Sequence, residues 1–235
     1  MSESWVVITS RAGTLKKGEW KLAGHTLVEW VLEQIKGMPN VVVTTDQPEV
    51  MLLAHKMGAQ VVVRPDALAQ GQPGMQAKAV LHALEVVRAP ASCLVHLVQP
   101  TSPFVERRHL LLLEEALAAG TVSSAQTIHA VPHNYHEVNQ RVVRNDIVDF
   151  LDWEARHAMQ NKQSKPKRYA FGNLVTTNHK WLRKTENFFT YPSRYIEISR
   201  LESLDVDNAK DLQVAECLVR CGLIKHPFKE DLTYA

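Results

Sequence analysis

Short runs of Val and Ile punctuate the first half of the chain, at Trp5–Ile8, Val41–Thr45, Val61–Val63, Cys93–Val98 and Val122–Ile128. Each is too short for an isolated helix and reads as a strand buried on both faces. Between them, apolar residues recur at helical spacing. Leu27, Trp30, Val31, Gln34 and Ile35 form one such stripe; Val50, Leu53, Ala54 and Met57 form a second, closed by Gly58. Ala79, His82, Ala83, Val86 and Val87 form a third before Pro90, and Arg107–Ala119 a fourth, closed by Gly120. The alternation of strand and helix implies right-handed crossovers and a mostly parallel, twisted sheet with helices on both faces, an α/β fold. Ligands of such sheets bind beyond the carboxyl ends of the strands, which nominates three loops: 10–24, 64–75 and 99–107.

After Ile128 the pattern changes. Residues 129–168 carry scattered charge, a His-Asn-Tyr-His cluster and a basic run from Lys162, and are expected to leave the sheet as an arm or subunit contact inserted at about 130–168. Periodicity resumes at Arg168–Thr177 and Arg194–Ser199 and ends in a helix from Asn208 to about Cys221, with Leu212, Ala215, Leu218 and Val219 as its buried stripe. The 235 residues then form a single domain.

Composition narrows the function. Lys plus Arg total 27 against 25 for Asp plus Glu, a net charge of +2, so nucleic acid is not expected as the principal partner. The apolar run near the N-terminus suits neither a secretory signal nor a membrane span, which predicts a cytoplasmic protein with no membrane partner. Cys93, Cys217 and Cys221 are too sparse for a disulfide framework and are expected to be reduced and buried.

Three places could carry chemistry. The loop from Ser10 through Arg11, Gly13, Lys16 and Lys17 to Lys21 combines glycines, hydroxyls and cations, which can cradle a triphosphate or equally form a solvated basic loop. It lacks the spacing of a P-loop. Asp205-Val206-Asp207 precedes the last helix. In extended chain its two carboxylates point the same way, roughly 7 Å apart, and suit Mg2+. The competing reading makes Asp207 or Asn208 the helix N-cap and Asp205 an ordinary surface acid. Gln99-Pro-Thr-Ser-Pro103 leaves the strongest strand with its backbone fixed by two prolines, presenting the Gln99 amide and two hydroxyls, although a turn with no ligand would look the same. His133 and His136 lack the further ligands of a zinc site, and no nucleophile elbow is present.

In this order, LAGHTLVEWVLEQI from Leu22, TTDQPEVMLLAHKMGAQVVVRPDALA from Thr44, VLHALE from Val80, LVQPTSP from Leu97 and SLDVDNAKDLQVAE from Ser203 resemble the acylneuraminate cytidylyltransferase family. The resemblance runs from about Val6 to Val219. It implies a fold related to the nucleotide-sugar glycosyltransferases, and a homodimer in which the excursion reaches toward the partner's active site. It implies transfer of CMP from CTP to a nonulosonic acid with release of pyrophosphate. Arg11 and Lys21 would be phosphate ligands, with Ser10, Gly13 and Lys16 beside them in the loop. Arg64 would be the nucleotide-pocket arginine, Gln99 the sugar-pocket glutamine, Asp205 and Asp207 the magnesium pair, and Lys162 a residue lent to the partner.

The chain departs from the family pattern in three places. Its first loop is shorter and lacks the Asn after Lys21, leaving the register of Lys16, Lys17 and Lys21 open. Gly71-Gln-Pro-Gly-Met-Gln-Ala-Lys78 replaces a Ser-rich turn, and Phe171-Gly172-Asn173-Leu174-Val175 replaces N-G-A-I-Y. A different acceptor or nucleotide, or a silent nucleotide-binding subunit, is compatible with these changes.

Overall fold

The computed structural model describes residues 3–12 and 17–228. In chain order the strands and helices are β1 (Ser4–Thr9), β2 (Lys21–Leu22), β3 (His25–Thr26), α1 (Leu27–Gln34), β4 (Val41–Thr45), α2 (Pro48–Lys56), β5 (Gln60–Val63), α3 (Asp66–Ala69), α4 (Met75–Val86), β6 (Leu94–Val98), α5 (Arg107–Ala118), β7 (Ser124–Ala130), β8 (Arg141–Arg144), β9 (Ile147–Phe150), α6 (Trp153–Ala158), β10 (Tyr169–Asn178), α7 (His179–Thr185), β11 (Arg194–Glu197) and α8 (Ala209–Arg220). Seven strands form one sheet in the order β11-β7-β10-β6-β1-β4-β5. All its pairings are parallel except those of β10, which runs antiparallel to both β6 and β7.

The alternation of side chains along β1 divides the core. Val6 and Ile8 face α1, α2 and α5 together with Val43, Val98 and Leu113, while Trp5 and Val7 face α4 and α7 together with Val95, Val80 and Leu182. Both faces of the strand are thus apolar, which explains its unbroken hydrophobic run. A third cluster forms at one end, where Trp30 and Phe104 pack with Val206, Ala215 and Leu218 and so bind α8 to α1. Thr26 caps α1 through a capping box with Glu29, fixing where that helix starts.

The excursion is more regular than its sequence predicts. It contains the β8–β9 hairpin, whose turn places Asn145 and Asn-like Asp146 at positive φ (51° and 60°), and α6, capped by Asp152. The expectation that all three thiols are buried is corrected. Cys93 is buried, but Cys217 and Cys221 are exposed on the solvent side of α8, because the buried stripe of that helix runs through Ala215 and Leu218.

Candidate functional site

Strands β1, β4, β5 and β6 are mutually parallel, so their carboxyl ends lie along one edge of the sheet. Ser10, Asp46, Arg64 and Gln99 each stand just beyond one of those ends. Arg64 is 5% exposed and donates one guanidinium N–H to the Thr44 carbonyl at 2.9 Å. Burial, the dominant influence, pushes its pKa down; nearby Asp46 opposes that and Arg11 adds to it. The Arg64 Nε and the Thr44 hydroxyl are buried without a partner among the described residues. An unsatisfied buried donor costs about 1–3 kcal/mol, so an arriving acceptor would be favoured there.

Arg11 lies flat against the turn that follows α3. A Cβ built on Gly71 would fall 2.7 Å from Arg11 Nη1 and 2.8 Å from Cζ, so only a glycine lets the guanidinium rest on that backbone. Gly71 also has φ +70°, a conformation open to glycine. The Gly-Gln-Pro-Gly turn therefore positions Arg11, a function that its lost serines did not advertise. The base of the first loop is fastened to the end of β4. The Ala12 amide donates to Asp46 Oδ1 at 2.8 Å, and the Ser10 hydroxyl donates to Gln47 Oε1 at 3.0 Å.

The acidic pair is held from the next strand. The Val206 amide donates to the Thr101 carbonyl at 2.7 Å, and Val206 is fully buried, which turns the flanking Asp205 and Asp207 to the other side. Asp205 accepts from Ser102 Oγ at 3.5 Å and from the Thr101 side chain. Its pKa is raised, chiefly by burial and further by Asp207, against the hydrogen bond from Thr101 and the charge of Lys17. The Lys17 ammonium sits on Asp207 Oδ1 at 2.5 Å. The N-cap of α8 is Asn208, which accepts from the Lys210 and Asp211 amides, while Asp211 answers the amides of Asp207 and Asn208. The helix is thus capped without either carboxylate of the Asp-Val-Asp motif; these instead meet Lys17, Ser102 and Thr101.

Among the described residues no cluster of three or more His, Cys, Asp or Glu could hold a metal ion. Asp205 and Asp207 match the one or two carboxylates that Mg2+ takes before it completes its shell with water and phosphate oxygens, and Lys17 would have to leave Asp207 as the ion arrived. The two carboxylates do not fit a structural zinc.

Of the residues singled out in the sequence, Ser10, Arg11, Arg64, Gln99, Asp205 and Asp207 come to this edge of the sheet. Gly13 and Lys16 lie outside the described residues. Lys21 is on β2, opposite Thr26, and lines a shallow depression with Trp20, Ala209 and Leu212. It is Lys17, the first residue of the 3-10 turn at 17–19, that contacts the acidic pair. Lys162 is exposed in a 3-10 turn of the excursion rather than at the strand ends. The sequence reading missed Asp46; it counted the Thr101 hydroxyl among those of the Gln99–Pro103 turn without assigning it a partner, and it left Lys17 as one of three lysines of open register.

Residues 16–221 match the family described as Cytidylyltransferase. The chain belongs to the cytidylyltransferase family. It is 25% identical over 218 residues to an N-acylneuraminate cytidylyltransferase of Escherichia coli O18:K1:H7 (strain RS218 / NMEC), an alignment covering 89% of this chain and 50% of that one. The chain therefore spans about half the length of this curated relative. Among solved structures, a CMP:2-keto-3-deoxy-manno-octonic acid synthetase complexed with CTP superposes with a TM-score of 0.70 at 16% identity, covering 94% of this chain and 100% of the other. The 4-diphosphocytidyl-2C-methyl-D-erythritol synthase of Anaerococcus prevotii DSM 20548 superposes with a TM-score of 0.63 at 13% identity, covering 93% and 97%. These likenesses establish the nucleotidyltransferase fold. No helix among the described residues is long and apolar enough to cross a membrane.

Proposed function

We propose that this member of the cytidylyltransferase family transfers CMP from CTP to the anomeric hydroxyl of a nonulosonic acid, releasing pyrophosphate. The observation that carries the reading is the meeting of Asp205, Asp207 and Lys17 at the same sheet edge as the Arg11 and Arg64 guanidinium groups. The acceptor class is supported by the sequence relative named as an N-acylneuraminate cytidylyltransferase.

In such a transfer the sugar oxygen bonds to the α-phosphorus, the bond to the bridging oxygen breaks, and the sugar proton passes to solvent. The protein's part is positioning and neutralisation of charge. Arg11 and Lys17 would hold the triphosphate and offset the charge that develops on pyrophosphate. Arg64, with its spare buried donor, would hold the nucleotide, and Gln99 would orient the sugar. Asp205 and Asp207 would hold Mg2+. When bound, the ion would polarise phosphate oxygens and acidify an attached hydroxyl. The excursion carrying Lys162 would serve a homodimer, and the protein would act in the cytoplasm.

A second reading, another acceptor on the same scaffold, is favoured by the likeness to the methylerythritol cytidylyl synthase and by the Gly71–Gly74 turn. Incubation with CTP, Mg2+ and a panel of neuraminate, legionaminate, pseudaminate and Kdo-type acids together with methylerythritol phosphate, with pyrophosphate release and product mass followed, tests both. A CMP-sugar from one of these acids is the expected result. Turnover with methylerythritol phosphate alone would replace the first reading by the second.

A further inference from the structure

The first loop carries the cation that meets the acidic pair, yet its 3-10 turn at 17–19 lies far along the chain from the strands that frame the site. Gln47 connects the two. This side chain is 2% exposed and both ends of its amide are committed. Oε1 accepts from the Ser10 hydroxyl at 3.0 Å, at the end of β1, and Nε2 donates to Glu19 Oε1 at 2.8 Å. The orientation of the amide is chemically fixed. A carboxylate only accepts, so the NH2 end must face Glu19, and the carbonyl end is left to the hydroxyl.

The side chain is not used by the helix that it precedes. Gln47 occupies the N-cap position of α2, and its side chain makes no capping hydrogen bond to that helix. Caps contribute about 1 kcal/mol. Pro48 at the first helical position leaves one fewer amide to satisfy, which makes the side chain's diversion to the loop less costly. The amide backbone of Gln47 is itself steadied by the Thr45 hydroxyl at 3.1 Å. The buried amide is therefore rigid, and Glu19 is the residue it holds.

Glu19 closes the same 3-10 turn that Lys17 opens. The turn is further bounded by the Trp20 amide on the Lys17 carbonyl at 3.1 Å and by the Leu27 amide on the Trp20 carbonyl at 2.8 Å. Fixing Glu19 thus fixes the direction from which Lys17 reaches Asp207. We propose that Gln47 is a positioning residue, a buried latch that ties the first loop to the ends of β1 and β4 through Glu19 and so presents Lys17 to the Asp205–Asp207 pair. Its consequence for turnover rests on the cytidylyl-transfer reading above; its consequence for the loop does not.

Four variants test it: Gln47→Met, which keeps length and removes the amide; Gln47→Glu, which sets a second carboxylate against Glu19; Glu19→Gln; and the double variant Gln47→Glu with Glu19→Gln, which restores one donor facing one carboxylate. Two readouts are taken on the full chain. One is the rate of tryptic cleavage after Lys17, identified by mass. The other is kcat/KM for Mg-CTP and for the acceptor, measured separately. The latch requires cleavage to rise at least tenfold in Gln47→Met and Gln47→Glu, and to return toward the parent rate in the double variant. It also requires kcat/KM for Mg-CTP to fall ~10–100-fold with the acceptor KM unchanged, again recovered in the double variant. Unchanged cleavage in both single Gln47 variants, at an unchanged thermal midpoint, overturns the proposal. If Gln47→Glu fails to fold, Gln47→Met decides by the same criterion, and Glu19→Gln, which keeps an acceptor for the Gln47 amide, should stay near the parent rate. Cleavage that follows the expected pattern, in a protein that turns over none of the acids, upholds the latch and removes the assigned reaction instead.

Discussion

Replacing Gly71 by Ala separates a functional cost from a structural one. The new Cβ would stand 2.7–2.9 Å from three atoms of the Arg11 guanidinium, and ordinary contact begins near 3.4 Å. The guanidinium must withdraw by roughly 0.5–1 Å. Because it is the far end of a flexible side chain, the withdrawal costs the fold little. The backbone strain of a side chain at φ +70° costs about 1 kcal/mol, or ~2–4 °C in thermal midpoint for a chain of this size. Turnover responds differently. A misplacement near 1 Å of a group that stabilises the leaving charge can cost ~100-fold, about 3 kcal/mol of barrier. Gly58→Ala is the control, since Gly58 has φ +83° and nothing within 4 Å of its added Cβ. The assay is pyrophosphate release at saturating acceptor, beside thermal denaturation of both variants. Equal small losses of stability with a large loss of kcat/KM for CTP in Gly71→Ala alone is the expected result. Turnover within twofold of the parent in both variants would refute the role given to Arg11.

Other consequences are as concrete. Asp207→Asn should abolish Mg2+-dependent turnover and leave the thermal midpoint within a few degrees, because the α8 cap belongs to Asn208; retained turnover would remove the metal assignment. Lys17→Met should lower kcat/KM for CTP by one to two orders of magnitude, with Lys21→Met near the parent value, a contrast read by the same assay. His109 is buried, accepts the Glu106 amide on Nδ1 and has its Nε2 3.4 Å from Glu202. Burial and then Arg108 lower its pKa from 6.5 to about 4. The unfolded chain therefore binds the extra proton between those values, and the stability His109 confers is present above pH 6.5 and lost as pH falls toward 4. Urea unfolding of the parent and His109→Asn should show that difference shrink by up to ~3 kcal/mol over this window, and a pH-independent difference would count against it. In the native protein a thiol reagent should modify Cys217 and Cys221 while Cys93, whose thiol burial pushes up to about 11, reacts only after unfolding.

The parallel core was legible because each of its strands is apolar on both faces, and the motif order was legible because Gly58, Pro90 and Gly120 end elements where the chain must turn. The direction of β10 was not, since periodicity does not encode polarity. Its bulge, where pairing shifts between Phe171 and Val175, follows from Gly172: a Cβ there would meet Thr127 Oγ1 at 2.7 Å. The hairpin in the excursion was hidden because its short strands, Arg141–Arg144 and Ile147–Phe150, show no period-2 alternation and leave apolar residues such as Val143 and Ile147 exposed. In the site, residue types were readable but partners were not. Which lysine meets Asp207 depends on a contact between segments far apart in sequence, and which residue caps α8 on a local choice between the neighbours Asp207 and Asn208 that residue type leaves open.

The contact that joins Val206 to Thr101 has a meaning for the order of events in synthesis. The acidic pair takes its shape from residues made roughly a hundred positions earlier, and its cation comes from a residue 190 positions earlier. Such long-range pairings form late, after the loop entropy between them has been overcome by the sheet. An emerging chain that has completed β1 through β6 already owns its arginines, but the Asp205–Asp207 pair proposed to hold Mg2+ has no fixed place until α8 docks on Trp30 and Phe104. Under that proposal, competence for chemistry is withheld until α8 has left the ribosome, and a chain that loses α8 loses the support of its acidic pair with it.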